Sequence, residues 1–247
     1  MIRLVNSRRL GLSLGIDLVE HKICSLDCIY CEAGATTDLT TEVKAYKDIS
    51  VVYNELSDYL NTKSQSEICD IDGNTSPKID YITFSGLGEP TLSSDLAHIL
   101  KLIKKNWNTY KTCLITNSTM LYSETLQKDL ALCDLVIPSL DAVSEEVFQT
   151  INRPHKDIKA KQIVESLVSF RKSFKNQMWL EIFFIAGIND TVEELTLLKQ
   201  ACQRIKPDKI QLNSLDRNGL FDWVKKVPEK RLKEILEHFK PLPAEII

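Results

Sequence analysis

Three cysteines, Cys24, Cys28 and Cys31, fall within eight residues, with three residues between the first two and two between the last two. Thiolates packed this closely in one loop are suited to hold a single metal centre. Two centres fit. A structural zinc ion closes its tetrahedron with four ligands, commonly in two paired knuckles; this chain offers one triad, with His21 as the fourth ligand. An iron–sulfur cluster also takes thiolates. Three of them on a four-iron cluster leave one iron open to a substrate or cofactor, and open sites suit chemistry where closed ones suit structure. Lys22 borders the loop. It reads either as a Schiff-base amine for a carbonyl co-substrate or as a cation neighbouring the metal centre. Cys69, Cys113, Cys133 and Cys202 are scattered and read as buried thiols that behave as small hydrophobes.

The elements that position this loop follow from hydrophobic period. Leu12, Leu14, Ile16 and Leu18 alternate as a strand does and lead straight into the cysteines. Further strands are expected over 79–84, 113–116, 135–140, 180–185 and 209–213. Between them, apolar residues recur at helical spacing: Ile49, Val52, Tyr53, Leu56 and Leu60; Leu96, Ile99, Leu100 and Ile103; Leu126 and Leu130; Ile163, Val164, Leu167 and Val168; Leu195, Leu198, Cys202 and Ile205. Ser144 opens a short helix, and Thr191 with Glu194 has capping-box spacing. Asn61 to Lys78, with Gly73 and Pro77, reads as a polar excursion. Pro228 starts a final helix through Leu232, Ile235 and Phe239. Six strand–helix repeats imply parallel βαβ units, and right-handed crossovers leave either an open doubly wound sheet or a curved, barrel-like one.

The polar clusters lie just after the strands: Cys24–Cys31, Ser85–Pro90, Thr116–Ser118, Ser139–Asp141, Gly187–Asp190 and Asn213–Arg217. In a parallel sheet these ends share one rim, where α/β ligand sites form. Loops distant in sequence therefore converge on the cysteines. Arg153 and Arg217 are candidates to meet an anion at that rim, with surface ion pairing as the plainer role.

A chain of 247 residues fits one domain, with a core over about 11–217 and a C-terminal extension over 218–247. A net charge of −3 argues against broad electrostatic attraction to nucleic acid or anionic membrane. Seven cysteines in this distribution are not a secreted disulfide framework. No apolar h-region follows the N-terminus, and no run has the length of a membrane helix. The expectation is a reducing cytoplasm.

Cys24-x3-Cys28-x2-Cys31 resembles the signature of the radical S-adenosylmethionine (radical SAM) superfamily. Ser85-Gly86-Leu87-Gly88-Glu89-Pro90 is similar to that superfamily's glycine–glutamate motif, which receives the methionine amino group of SAM. Ser139-Leu140-Asp141 is similar to its ribose segment, and Gly187-Ile188-Asn189 and Leu212-Asn213 to segments lining the adenine and methionine ends. The resemblance implies an α/β fold, a partial (β/α)6 TIM-like barrel with a C-terminal tail helix. It implies that Cys24, Cys28 and Cys31 hold a [4Fe–4S] cluster whose open iron is chelated by SAM. It also implies reductive cleavage of SAM to a 5′-deoxyadenosyl radical that abstracts hydrogen from a substrate. Tyr30 matches the aromatic position that packs on adenine. Gly86 and Gly88 would let backbone approach the ligand. Glu89, Asn117, Ser139, Asp141, Asn189 and Asn213 would complete the SAM contacts. A reductant such as flavodoxin or ferredoxin is implied as partner.

Gly15-Ile16-Asp17-Leu18-Val19, Gly86 to Leu92, Ser139-Leu140-Asp141 and Ile151-Asn152-Arg153-Pro154 together resemble the subgroup containing the wyosine-tRNA synthases, which act on a tRNA base. A protein or peptide, as for activases and maturases, and a small metabolite are the alternative substrates. A zinc-stabilised binding module is the non-catalytic alternative. The ligand assignment predicts that Cys28→Ala loses the cluster while keeping the fold. Iron analysis and circular dichroism check this, and unchanged iron content would contradict it.

Overall fold

The computed structural model describes residues 2–65, 79–216, 221 and 223–247. The chain starts with an antiparallel pair, β1 (Ile2–Ser7) and β2 (Gly11–Ile16). The cysteine segment follows and contributes β3 (Ile23–Cys24), which pairs in parallel with β4 (Asp38–Leu39) as a separate small sheet. Then come α1 (Ile49–Gln65), β5 (Tyr81–Phe84), a 3-10 turn over Pro90–Leu92, α2 (Leu96–Asn106), β6 (Lys111–Thr116), α3 (Glu124–Leu130) and β7 (Leu135–Pro138). Two helices, α4 (Glu145–Ile151) and α5 (Ala160–Ser173), precede β8 (Gln177–Phe184). The chain closes with α6 (Val192–Ile205), β9 (Lys209–Ser214), α7 (Glu229–Phe239) and β10 (Ala244–Ile246).

The main sheet has eight strands in the order β1-β2-β5-β6-β7-β8-β9-β10. From β2 onward every neighbouring pair is parallel. The order is linear, so the sheet is open, as a partial barrel is. All six strands expected from hydrophobic period are present. Two more were not expected, β1 and β10, one at each edge. The final helix is therefore no tail: α7 is a crossover that returns the chain to pair β10 with β9. Helix α1 runs on to Gln65, into the stretch read as a polar excursion. The remainder of that stretch, with Cys69, Gly73 and Pro77, lies outside the described residues, as does Arg217.

Alternation along the strands sorts the side chains onto two faces. Leu14, Ile16, Ile82, Phe84, Leu114, Val136, Leu180 and Ile182 are buried in one core with the apolar stripes of the helices. Cys113, Leu135 and Ile137 lie on the opposite face with Leu10, Tyr81 and Trp179 in a smaller cluster. The free thiols of Cys113, Cys133 and Cys202 are buried, as read from the sequence, and burial pushes those of Cys133 and Cys202 up to about 12. No helix among the described residues is long and apolar enough to cross a membrane.

Helix starts follow their cap residues. The Ser123 hydroxyl accepts from the Leu126 amide, and the Thr191 hydroxyl from the Glu194 amide. The expected capping box at Thr191 is only half made. Glu194 does not reach back to Thr191; its carboxylate is buried and accepts from the Val143 amide at 2.5 Å, the Ser144 amide at 3.1 Å and the Ser144 hydroxyl at 2.5 Å. It thereby ties the start of α6 to the start of α4, just behind the rim. Removing an acceptor that several donors share leaves them unsatisfied. Glu194→Ala is expected to cost about 2–3 kcal/mol, seen as a lower urea midpoint with an unchanged slope. A midpoint equal to that of the parent would contradict this role.

Candidate functional site

The cysteine loop has almost no regular structure of its own, so its shape comes from hydrogen bonds to other loops. The Ile23 carbonyl accepts the Glu89 amide at 2.9 Å. The Asp27 amide is shared between the carbonyls of Asn152 and Arg153, the Ile29 amide bonds the Ile151 carbonyl, and the His155 amide bonds the Ser25 carbonyl. The Ser25 and Thr119 hydroxyls meet at 2.6 Å. The loop is thus fastened to the segments that follow β5, β6 and α4.

Gly86 and Gly88 make the closest of these approaches possible. A side-chain carbon at residue 88 would overlap the Ile23 carbonyl, and one at residue 86 would overlap the Asp17 carboxyl. Asp17 in turn accepts the Leu87 amide at 2.9 Å and the Val19 amide at 3.1 Å. The sequence reading had these glycines admit a ligand; in the structure Gly88 admits the Ile23 backbone and Gly86 the Asp17 carboxyl.

Each of the three sulfurs has a side-chain N–H donor, and Cys24 also has the Leu26 backbone amide. The Asn117 amide nitrogen lies 3.4 Å from Cys24 Sγ, the Asn152 amide nitrogen 3.3 Å from Cys28 Sγ, and Lys22 Nζ 2.6 Å from Cys31 Sγ. Lys22 is buried and also donates to the Gly34 carbonyl at 2.6 Å. The three thiols are half-buried. Burial, then the nearby Glu89 carboxyl, pushes the Cys24 thiol up to about 11. Burial, then Asp141, raises Cys28 well above the ordinary thiol range. Metal loading therefore has to displace thiol protons. His21 is exposed. Among the described residues no three His, Cys, Asp or Glu side chains converge on one point as a single ion requires.

Beside the thiols is a cavity of about 20 Å³, room for a water. It brings together Tyr30, Asn117, Ser139 and Asp141, four of the residues singled out from sequence, with Asn152. The Tyr30 ring stacks on Phe183 at 4.1 Å between centroids, and its hydroxyl donates to Asp141 Oδ2 at 2.5 Å. The same oxygen accepts from Asn152 at 2.7 Å, and Asp141 Oδ1 accepts the Phe183 amide at 2.9 Å. Asn152 Oδ1 is buried without a hydrogen-bond partner. An orphaned buried acceptor is uncommon and points to a donor that belongs there. That acceptor is open to an N–H or O–H donor beside the thiols.

The other candidates turn inward. Glu89 is buried; one oxygen accepts from Thr91 N, Thr91 Oγ1 and Thr116 Oγ1, the other from the Asn117 amide at 2.8 Å. It caps the 3-10 turn and joins the ends of β5 and β6. Burial raises its carboxyl above the usual range, against the pull of those donors. Asn189 is fully buried and bonds the Ile185 amide and the carbonyls of Asp141 and Phe183. Asn213 bonds Glu181 at 3.0 Å, and Arg9 pairs with the same carboxylate at 2.6 Å. Neither asparagine lines the small cavity. Arg153 has a left-handed backbone (φ 43°), with its guanidinium over the Phe221 ring. Lys22 is the cation neighbouring the thiols. Asn152 was the residue that sequence reasoning missed; its only signal was its place in the Ile151–Pro154 run.

A profile of the Radical SAM superfamily matches residues 21–198. A protein named GTPase Obg from Brachyspira hyodysenteriae is 38% identical over 96% of this chain, which spans only 33% of that protein's length. A UPF0026 protein of Methanocaldococcus jannaschii is 30% identical over 96% of this chain and 70% of its own. The solved structure of TYW1 with a lysine–pyruvate adduct bound shares the fold. Its TM-score is 0.65 at 16% identity, covering 92% of this chain and 72% of that one.

Burial pushes the Asp141 carboxyl up from 3.8 to about 6, against the hydrogen bonds from Tyr30 and Asn152. The folded protein thus holds this proton more tightly than the unfolded chain does. Stability contributed through Asp141 falls as pH rises from about 4 to about 6, by of order 1–3 kcal/mol, and is flat above. The free-energy difference between parent and Asp141→Asn, from urea unfolding, is expected to change across that window and stay constant from about pH 7 to 8. A difference independent of pH would contradict this.

Proposed function

This chain belongs to the radical SAM superfamily, and on that footing we propose that Cys24, Cys28 and Cys31 hold a [4Fe–4S] cluster beside a SAM site. When bound and reduced, the cluster would supply the electron that cleaves SAM to methionine and a 5′-deoxyadenosyl radical for hydrogen abstraction. The observation that carries the reading is a polar cavity that holds the unmatched Asn152 Oδ1 and is lined by Asn117 and Asn152, the two side chains that reach Cys24 Sγ and Cys28 Sγ.

In this reading Tyr30, Asn117, Ser139 and Asp141 face the cofactor from the cavity. Asn152 joins them through its free acceptor. Gly86, Gly88 and Glu89 bring the segment after β5 against the cysteine loop, so that its backbone can serve the methionine end. Asn189 acts by fixing Asp141 and Phe183, which carries the Tyr30 ring. Asn213 acts from β9 through Glu181. Leu26, Leu140, Phe148 and Ile163 give the cavity apolar walls. A reductant such as flavodoxin or ferredoxin would deliver the electron. The free cysteines suit a reducing cytoplasm.

The motif resemblance to the wyosine-tRNA synthases makes a tRNA base the first substrate class to test, ahead of a protein, peptide or metabolite. The TYW1 structure contains a lysine–pyruvate adduct. Lys22 is not placed for such a role, because its Nζ is held between Cys31 Sγ and the Gly34 carbonyl. Protein reconstituted anaerobically with iron and sulfide, then given dithionite and SAM, is expected to release 5′-deoxyadenosine, with tRNA changing mass when included. Absence of cleavage by protein carrying its full iron and sulfide would overturn the proposal.

A further inference from the structure

We propose that Lys22 sets the reduction potential of the metal centre, acting as a positioning residue through Cys31. The inference rests on the cluster reading above and goes beyond it. The Lys22 ammonium lies 2.6 Å from Cys31 Sγ, in a side chain of a residue only 7% exposed. A second donor contact, to the Gly34 carbonyl at 2.6 Å, fixes it there. Among the described residues no carboxylate forms an ion pair with it, so its charge is not cancelled locally.

Reduction adds one negative charge to a thiolate-bound cluster. A desolvated cation at hydrogen-bond distance favours the form with more negative charge, and little water intervenes to screen it. Hydrogen bonds to the ligand sulfurs shift cluster potentials in the same direction. The amides of Asn117 and Asn152 each donate to one of the other sulfurs, but without a full charge. Lys22 is therefore the largest of the three contributions. Two buried carboxyls, Glu89 near Cys24 and Asp141 near Cys28, oppose it. Without the lysine, the reduced state would face those two groups with no counter-charge.

The test compares parent, Lys22→Met, Lys22→Arg and Asn152→Leu, each reconstituted and assayed for iron and sulfide before an EPR-monitored redox titration without SAM. Lys22→Met is expected to keep its iron and to be harder to reduce by at least tenfold in the equilibrium, about 59 mV for one electron. Lys22→Arg should stay within twofold of the parent, and Asn152→Leu should shift in the same direction as Lys22→Met by less. Should Lys22→Met fail to load, Lys22→Gln, which removes the charge but keeps an N–H, carries the same expectation. A potential unchanged in the loaded neutral variant overturns the inference while leaving the cluster reading intact. Folded but iron-free Met and Gln variants also overturn it, making Lys22 a loop tether. Parent protein without iron or sulfide removes the cluster reading itself.

Discussion

The Ile23 carbonyl sits where a side chain at residue 88 would otherwise be, and it accepts the Glu89 amide there. A loop carrying three thiols cannot be held by its own ladder, since β3 and β4 offer only two paired residues each. It is held by backbone groups lent from the other strand ends. Glycine at 88 permits the approach, the Glu89 carboxylate locks the next loop through the Asn117 amide, and Asn117 then reaches Cys24. The same pattern recurs on the far side. The carbonyls after α4 take the Asp27 and Ile29 amides, and Asn152 reaches Cys28. The geometry of the thiols is thus a property of the whole rim.

That arrangement places charge where it is costly. Glu89 and Asp141 are buried carboxyls beside half-buried thiols, and both are raised above the ordinary carboxylate range in spite of several donors each. Burial of an ionised group is tolerated when it is bonded and answered by opposite charge. Lys22 supplies the nearest cation to the thiols, and the Tyr30 and Asn152 donors satisfy Asp141. The site is therefore a polar cluster walled by Leu140 and Phe148, with one acceptor, Asn152 Oδ1, left without a partner.

Much of this was legible in the residues. The six central strands announced themselves because each is buried on both faces or alternates cleanly. The edge strands did not. β1 reads Ile-Arg-Leu-Val-Asn-Ser and is exposed along most of its length; each parity mixes apolar and polar residues, so no clean alternation marks it. β10 is three half-buried residues that form a strand only because β9 offers an edge. The cysteine loop and the glycine–glutamate turn were visible through their residue types. The partners of Lys22 and Asn152 were not: the Asn152–Cys28 contact spans 124 residues, and nothing local fixes it. Glu89 and Asn189 follow their strands as expected, whereas Asn213 lies within β9. Their side chains bind other loops and strands, a distinction that only tertiary contacts can draw.

In the proposed function, three thiols spaced by the rim around them hold an iron–sulfur cluster with one position open to SAM. The most direct measurement is the EPR spectrum of anaerobically reconstituted, dithionite-reduced protein before and after SAM is added. The account predicts a reduced-cluster signal whose g values move when SAM binds. A signal indifferent to SAM, or protein that takes up one zinc and no iron or sulfide, would contradict it.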